Sequence, residues 1–142
     1  MQRGRRIAFD YGDVRIGVAI CDPDAILSTP LATLQAQSKD LFVQIMQIID
    51  EYEPIHIYIG KPTLLNGNEG AAVSKVEVFV EKLGEKSAIP ISMVDERLST
   101  VSAMKDMRSA GVNTRDAKSS IDAMAAVAIL EQGLAIDRSK KI

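Results

Sequence analysis

Two short apolar segments, residues 7–9 and 16–20, flank a polar break at residues 10–15. This pattern predicts two neighbouring strands joined as an antiparallel hairpin. The first segment shows no alternation, which is typical of a strand covered on both faces. Asp10 ends that strand, and a carboxylate there is costly to bury unless a cation pairs with it, so Asp10 is a candidate metal ligand. The alternative is that Asp10 only caps the turn, where aspartate is common.

The rest of the chain alternates between strand and helix patterns. Strands are predicted at residues 25–34, 55–59 and 90–94, and helices at residues 39–52, 71–85 and 100–110, followed by a last helix that Thr114 caps and that runs to Gln132. Pro30 indicates that the third strand is a sheet edge or carries a bulge. Ser38 is the expected cap of the first helix, Gly133 is expected near the end of the last helix, and the charged residues 137–142 are expected to fray.

Three antiparallel strands followed by strand–helix alternation predict an α/β fold. The expected architecture is a mixed five-stranded sheet with helices on both faces. The length of 142 residues suits one domain with one core, so residues 1–142 are interpreted as a single domain.

Composition narrows the class of protein. Hydrophobic residues make up 46% of the chain and charged residues 25%, which is ordinary for a soluble globular protein. No apolar run approaches the roughly 20 residues that span a bilayer, and the run after the basic N-terminus is too short for a signal peptide. The single cysteine, Cys21, excludes an internal disulfide and favours the cytoplasm. A net charge of −2 argues against coating nucleic acid by bulk charge but allows a local basic groove.

Acidic residues lie at the ends of predicted strands and on the face of the last helix that is expected to pack against the sheet. Asp10 ends the first strand, Asp95 and Glu96 end the fifth, and Asp122 shares a face of the last helix with Ala125, Ala126 and Ile129. Converging carboxylates repel each other unless cations neutralise them. Two divalent metals about 3.5–4 Å apart remove that conflict, activate water and stabilise the leaving oxygen of a phosphodiester. The alternative for Asp122 is an ion pair with Lys118, one turn earlier.

Basic residues accompany these acids in the sequence. They are Arg15, Lys61, Arg97 and Lys118. Each alone is a solvated charge, but their shared position at the acid-bearing ends predicts contacts to substrate phosphates. Aromatic residues make up 4% of the chain and tryptophan is missing, so base stacking is not expected to dominate recognition.

Four motifs resemble the YqgF family of RNase H-like proteins over essentially the whole chain. They are FDYGDVRIGVA at residues 9–19, GKPTLLNGNEG at 60–70, DERLST at 95–100, and the final-helix pattern of Lys118, Ile121, Asp122, Ala125, Ala126, Ile129 and Leu130. Members of this family are described as pre-16S rRNA nucleases and as Holliday-junction resolvases. Lys61 departs from the apolar residue usual between Gly60 and Pro62, and Ser99 stands where threonine is usual. These departures bear on substrate contacts more than on catalysis, because neither changes an acid.

The resemblance implies a nuclease that hydrolyses phosphodiester bonds with Mg²⁺ or Mn²⁺. Its catalytic, metal-binding acids would be Asp10, Glu96 and Asp122, with Asp10 bridging the metals. The sequence leaves open whether Asp95 or Glu96 points into the site. The implied role is processing the 5′ end of precursor 16S rRNA during ribosome maturation, with nucleic acid and ribosomal particles as partners and no membrane.

Three other functions stay open at this point. Resolution of DNA four-way junctions uses the same chemistry and calls for a two-fold dimer, and the sequence allows a monomer or a homodimer. A non-catalytic assembly factor would bind RNA without cutting it. An actin-like or sugar-kinase-like ATPase can also end its first strand in an Asp-x-Gly turn, but it needs two duplicated domains and a far longer chain.

Overall fold

The computed structural model describes residues 1–62, 70–96 and 115–140, the last segment with side chains from residue 121 onward. The strands in this part are β1 (Arg6–Tyr11), β2 (Arg15–Cys21), β3 (Ser28–Gln35), β4 (His56–Lys61) and β5 (Ile91–Asp95). The helices are α1 (Leu41–Tyr52), α2 (Ala71–Lys86) and α3 (Arg115–Ser139). The helix predicted at residues 100–110 lies outside the described residues.

The five strands form one mixed sheet in the order β3-β2-β1-β4-β5. Strands β1, β2 and β3 pair antiparallel, whereas β4 and β5 continue the sheet in parallel with β1. The predicted hairpin and mixed sheet are therefore confirmed. Strand β3 lies at the edge, and its register shifts where Val18 pairs with Ala32 and Ala19 pairs with Pro30. The proline thus stands at an edge and beside a bulge, where its missing N–H costs least.

Helices cover both faces of the sheet, as predicted, and the central strand shows how. Successive side chains of a strand point to opposite faces. In β1, Ile7 and Phe9 pack in one core with residues of α1 and α2, whereas Ala8 packs in a second core with residues of α3. The small residues Ala125 and Ala126 on α3 are completely buried, which allows this helix to approach the sheet closely.

The first helix begins two residues later than predicted, and Ser38 is not its cap. Asp40 occupies the N-cap position of α1 without a capping hydrogen bond from its side chain. Ser38 instead accepts a hydrogen bond at its Oγ from the amide of Asp40, at 3.1 Å. The hydroxyl is therefore used in the turn that precedes the helix, a competing local arrangement that serine readily adopts.

The last helix continues past Gly133 to Ser139, so its predicted end was wrong. A Cβ on Gly133 would lie 2.6 Å from the Tyr58 ring, so the glycine allows that ring to pack against the helix. The Tyr58 hydroxyl donates a hydrogen bond to Asp137, and the Arg138 guanidinium donates one to the Ala25 carbonyl. These contacts hold the helix end that was expected to fray. Burial, together with the bond to Asp137, raises the pKa of Tyr58.

Helix α3 has 25 residues, a length that can cross a bilayer. Polar and charged residues interrupt its apolar face. In the described part of the chain, neither α3 nor another helix is apolar over enough of its length to span a membrane.

Candidate active site

Three carboxylates are buried in the described part of the chain: Asp10, Glu96 and Asp122, each at most 5% exposed. Asp10 lies on the face of the sheet that α3 covers, because it follows Ala8 by two residues and Ala8 packs in the α3 core. Asp122 belongs to α3 itself. Two of the three buried acids therefore belong to the contact between the sheet and α3.

Beside Asp10, helix α3 contacts the sheet at a glycine. Gly17 of β2 is the cross-strand partner of Asp10. A Cβ on Gly17 would lie 2.0 Å from the backbone oxygen of Asp122, so the helix backbone rests directly on the strand. The missing side chain thus brings Asp122 to the strand next to Asp10.

Glu96 reaches the same edge from the other side. It follows β5 directly, and a Cβ on Gly60 of β4 would lie 2.8 Å from its Oε1. Gly60 is level with Asp10, because the residues before them, Ile59 and Phe9, are paired in the parallel register of β4 and β1. Asp10 on the central strand is therefore flanked by Asp122 over β2 and by Glu96 over β4, and neighbouring strands lie about 4.8 Å apart.

The alternation of β5 bears on the choice between Asp95 and Glu96. Met93 packs against the core under α1 and α2, whereas Val94 packs in the core under α3. Continuing this alternation sends Asp95 to the α2 side and Glu96 to the α3 side. Asp95 is half-buried and pairs in register with Lys61. The arrangement therefore favours Glu96 as the acid that faces Asp10.

Arg15 and Asp122 form an ion pair at this edge. The Arg15 Nε donates to the Asp122 Oδ2 at 2.7 Å, and the two side chains are 20% and 3% exposed. The sequence predicted a phosphate contact for Arg15 and considered an ion pair of Asp122 with Lys118. Instead, the described partner of Asp122 comes from β2, 107 residues away. The side chain of Lys118 lies outside the described residues, so its pairing stays a prediction.

The other predicted substrate contacts are only partly described. Lys61 ends β4 and is half-buried, and Arg97 lies outside the described residues. Sequence reasoning missed a basic residue, Lys75 of α2, which forms a 3.0 Å ion pair with Asp13 in the turn after β1. Both side chains are more than half exposed. No motif pointed to Lys75, because only the packing of α2 beside the turn brings the two together.

The donor set suits a hard divalent cation, which prefers carboxylate oxygens. Asp10, Glu96 and Asp122 come from three elements to one edge, and two glycines leave room beside them. Within the described ranges, no three histidine, cysteine or acidic side chains stand together closely enough to hold a metal ion. The residues therefore fit the cation in kind, but their carboxylates do not converge on one point in the structure, where that of Asp122 is turned to Arg15.

Gly17→Ala should destabilise the protein, because the added Cβ meets backbone atoms of α3 that cannot move aside without shifting the helix. We expect a loss of about 1–3 kcal/mol or more in the free energy of unfolding, as in overpacked cores. Gly84→Ala is the control, since its Cβ meets nothing within 4 Å and the residue lies inside α2. That change should stabilise the protein by roughly 0.5–1 kcal/mol. Urea unfolding measures both, and equal effects would contradict the close approach of α3.

Comparisons with known proteins agree with the family resemblance found in the sequence. The family model described as "RuvX: Holliday junction resolvase" matches residues 4–136. A Streptomyces coelicolor protein named "Putative pre-16S rRNA nuclease" is 45% identical over 140 residues, which are 97% of this chain and 84% of the relative. A protein of the same name from Rhodococcus opacus is 45% identical over 147 residues, covering 99% and 82% of the two chains.

Among solved structures, the chain resembles T. thermophilus RuvC in complex with a Holliday junction substrate. The TM-score is 0.65 at 13% sequence identity, and the match covers 96% of both chains. Another structure of Thermus thermophilus RuvC gives a TM-score of 0.58 at 10% identity, with 95% of this chain and 96% of that chain covered. At these identities the likeness shows the fold alone, and it agrees with the RNase H-like sheet predicted from the sequence.

Proposed function

The chain belongs to the RuvX family, and from this premise we propose that it is a metal-dependent nuclease that hydrolyses phosphodiester bonds in structured RNA. The observation that carries the proposal is the group of buried acids Asp10, Glu96 and Asp122 on the sheet face under α3. Burying a carboxylate costs free energy unless a cation or hydrogen bonds compensate, and here three elements each contribute one. Binding of Mg²⁺ or Mn²⁺ would offset this cost.

The proposed substrate is the 5′ end of precursor 16S rRNA, free or within ribosomal particles. Support comes from the curated relatives at 45% identity, which carry the name of a pre-16S rRNA nuclease. The whole chain is proposed to act as one domain. We place this activity in the cytoplasm, where rRNA is processed and where a chain with one cysteine needs no disulfide.

Each acid has a distinct role in the proposed site. Asp10, on the central strand, contributes a carboxylate between the other two, and Glu96 and Asp122 complete the site from either side. When bound, the divalent cation lowers the pKa of the attacking water and stabilises charge on the leaving oxygen. Lys61 and Arg15 are the described candidates for contacts to the phosphates on either side of the cleaved bond, and Arg97 and Lys118 are further ones.

A second candidate function is cleavage of DNA four-way junctions by the same acids. The matching family model is described as a Holliday junction resolvase, which favours this function. Cutting two symmetric strands calls for a two-fold dimer, so the oligomeric state in solution bears directly on this alternative. We propose a monomer or a homodimer, and a strictly monomeric protein would weaken the junction function.

The experiment that tests the proposal offers both substrates to the same preparation. Purified protein is incubated with a precursor rRNA 5′ leader and with a four-way junction, side by side, in Mn²⁺. We expect the RNA to be cut and the activity to disappear in EDTA. Preferential cutting of the junction would favour the resolvase function. Binding of the RNA without cleavage of either substrate would favour a non-catalytic assembly factor.

Asp122→Asn should lower the response of the protein to metal. Wild-type protein should gain about 2.7 kcal/mol of stability at a Mn²⁺ concentration 100 times its Kd, and the variant should gain much less. Without metal the variant should lose about 1–3 kcal/mol, less than the roughly 3–5 kcal/mol of a fully buried pair, because Arg15 keeps contact with water. Thermal melting with and without Mn²⁺ measures both terms. An unchanged Mn²⁺ shift would remove Asp122 from the metal site.

A further inference from the structure

The ion pair between Arg15 and Asp122 occupies one of the acids on which the proposed function depends. Arg15 precedes Gly17 by two residues on β2, so both belong to the sheet face on which Asp122 packs. The Arg15 Nε donates to the Asp122 Oδ2 at 2.7 Å, the length of a charge-assisted hydrogen bond. Because the Asp122 side chain is only 3% exposed, water and salt screen this pair little.

A divalent cation and the Arg15 guanidinium compete for this carboxylate. Both are attracted by its charge, and Oδ2 already accepts the Nε–H bond. A metal ion on the same oxygen would place two positive centres within a few ångströms of each other, and their repulsion is strong where the effective dielectric constant is low. A metal ion that binds Oδ2 therefore has to displace Arg15, whereas one held by Oδ1 alone would leave the ion pair in place.

We propose that Arg15 is the internal counter-cation of Asp122 in the metal-free protein and is released when a divalent cation binds. This inference rests on the proposed function, because it takes Asp122 as a metal ligand. Arg15 keeps a fifth of its side chain exposed and lies at the rim of the site. Once released, its guanidinium is available to a substrate phosphate, an anion that arginine binds through two parallel hydrogen bonds.

This exchange assigns one residue to two successive partners. In this exchange, the ion pair with Asp122 belongs to the metal-free protein, in which Arg15 neutralises a buried carboxylate. The phosphate contact predicted from the sequence describes the metal-loaded state. Arg15 thus acts as a positioning residue for Asp122, and the apparent metal affinity of the site is its intrinsic affinity multiplied by the fraction of molecules in which the pair is open.

The test is the Mn²⁺ affinity of Arg15→Gln, measured by isothermal titration calorimetry on the whole chain. If the pair is formed in roughly nine-tenths of wild-type molecules, its removal should tighten Mn²⁺ binding about tenfold. Arg3→Gln is the matched control, because Arg3 forms a 2.9 Å ion pair with Asp24 on the exposed surface. That variant should bind Mn²⁺ as the wild-type protein does.

Two further measurements cover the case in which Arg15→Gln fails to fold, since it leaves a buried carboxylate without its counter-charge. Arg15→Lys keeps the charge but not the Nε–H geometry, and it should tighten Mn²⁺ binding by less than Arg15→Gln. In the wild-type protein, the Arg15 Nε–H signal in NMR spectra should lose its hydrogen-bonded shift as Mg²⁺ is added.

The possible outcomes separate the inference from the proposed function. Unchanged or weaker Mn²⁺ binding by a folded Arg15 variant overturns the competition, as does an Nε–H signal that ignores Mg²⁺ in a protein that binds it. If the wild-type protein binds and cleaves while the variant keeps its affinity, only the role of Arg15 fails. If the wild-type protein binds no divalent cation, the proposed metal site fails as well.

Discussion

Asp10→Asn should reduce cleavage of precursor rRNA by at least about 10³-fold, since the proposed metal site would contribute several kcal/mol of charge stabilisation and each 1.36 kcal/mol is a factor of ten. Asparagine has nearly the same shape as aspartate but lacks the charge that holds a divalent cation. Asp10 is 2% exposed beneath α3, so the isosteric change keeps the packing. The metal-free variant should therefore melt no lower than the wild-type protein.

Asp13→Asn is the matched control for this experiment. Asp13 lies three residues further along the chain, and its side chain is 67% exposed in the ion pair with Lys75. An exposed pair contributes about 0–1 kcal/mol, so the control should keep both its stability and its turnover. Initial cleavage rates in Mn²⁺ compare the three proteins. Wild-type turnover by a folded Asp10→Asn protein would refute the assignment of the central acid.

The parts of the site that the sequence predicted depend on local periodicity. Apolar segments on either side of residues 10–15 define the hairpin, and the hairpin puts Asp10 at a strand end. Helical spacing put Asp122 on the same face as Ala125 and Ala126, and the structure buries all three against the sheet. Periods of 2 and 3.6 residues are properties of the backbone, so they can be read from the chain without knowledge of its packing.

The parts that the sequence did not predict depend on contacts between distant residues. The ion pair of Arg15 with Asp122 joins residues 107 positions apart, and it forms only because α3 rests on Gly17. The end of α3 was misjudged for a similar reason. A glycine is an ordinary helix stop in isolation, but Gly133 is the place where the Tyr58 ring packs. When a helix or a ring packs against a glycine, the only local sign of that contact in the sequence is the glycine itself.

Glu96→Gln and Asp95→Asn should differ by about 10²-fold or more in cleavage rate, although the two acids are neighbours in the chain. In β5, Val94 packs under α3, so Asp95 turns to the other face and Glu96 returns to the side of Asp10. The Oε1 of Glu96 also lies above Gly60, the β4 residue level with Asp10. Glu96→Gln should therefore lose activity, whereas Asp95→Asn should keep most of it.

The metal dependence of the two variants distinguishes a lost ligand from a general loss of structure. Glu96→Gln should need a higher Mn²⁺ concentration for half-maximal activity and should show a smaller Mn²⁺ shift in melting temperature. Asp95→Asn should match the wild-type protein in both measurements, because strand alternation turns this half-buried residue to the face opposite Val94. Loss of activity and of the Mn²⁺ shift in Asp95→Asn alone would reverse the assignment. It would mean that β5 enters the site with the opposite alternation, and Gly60 would then have no role in making room for an acid.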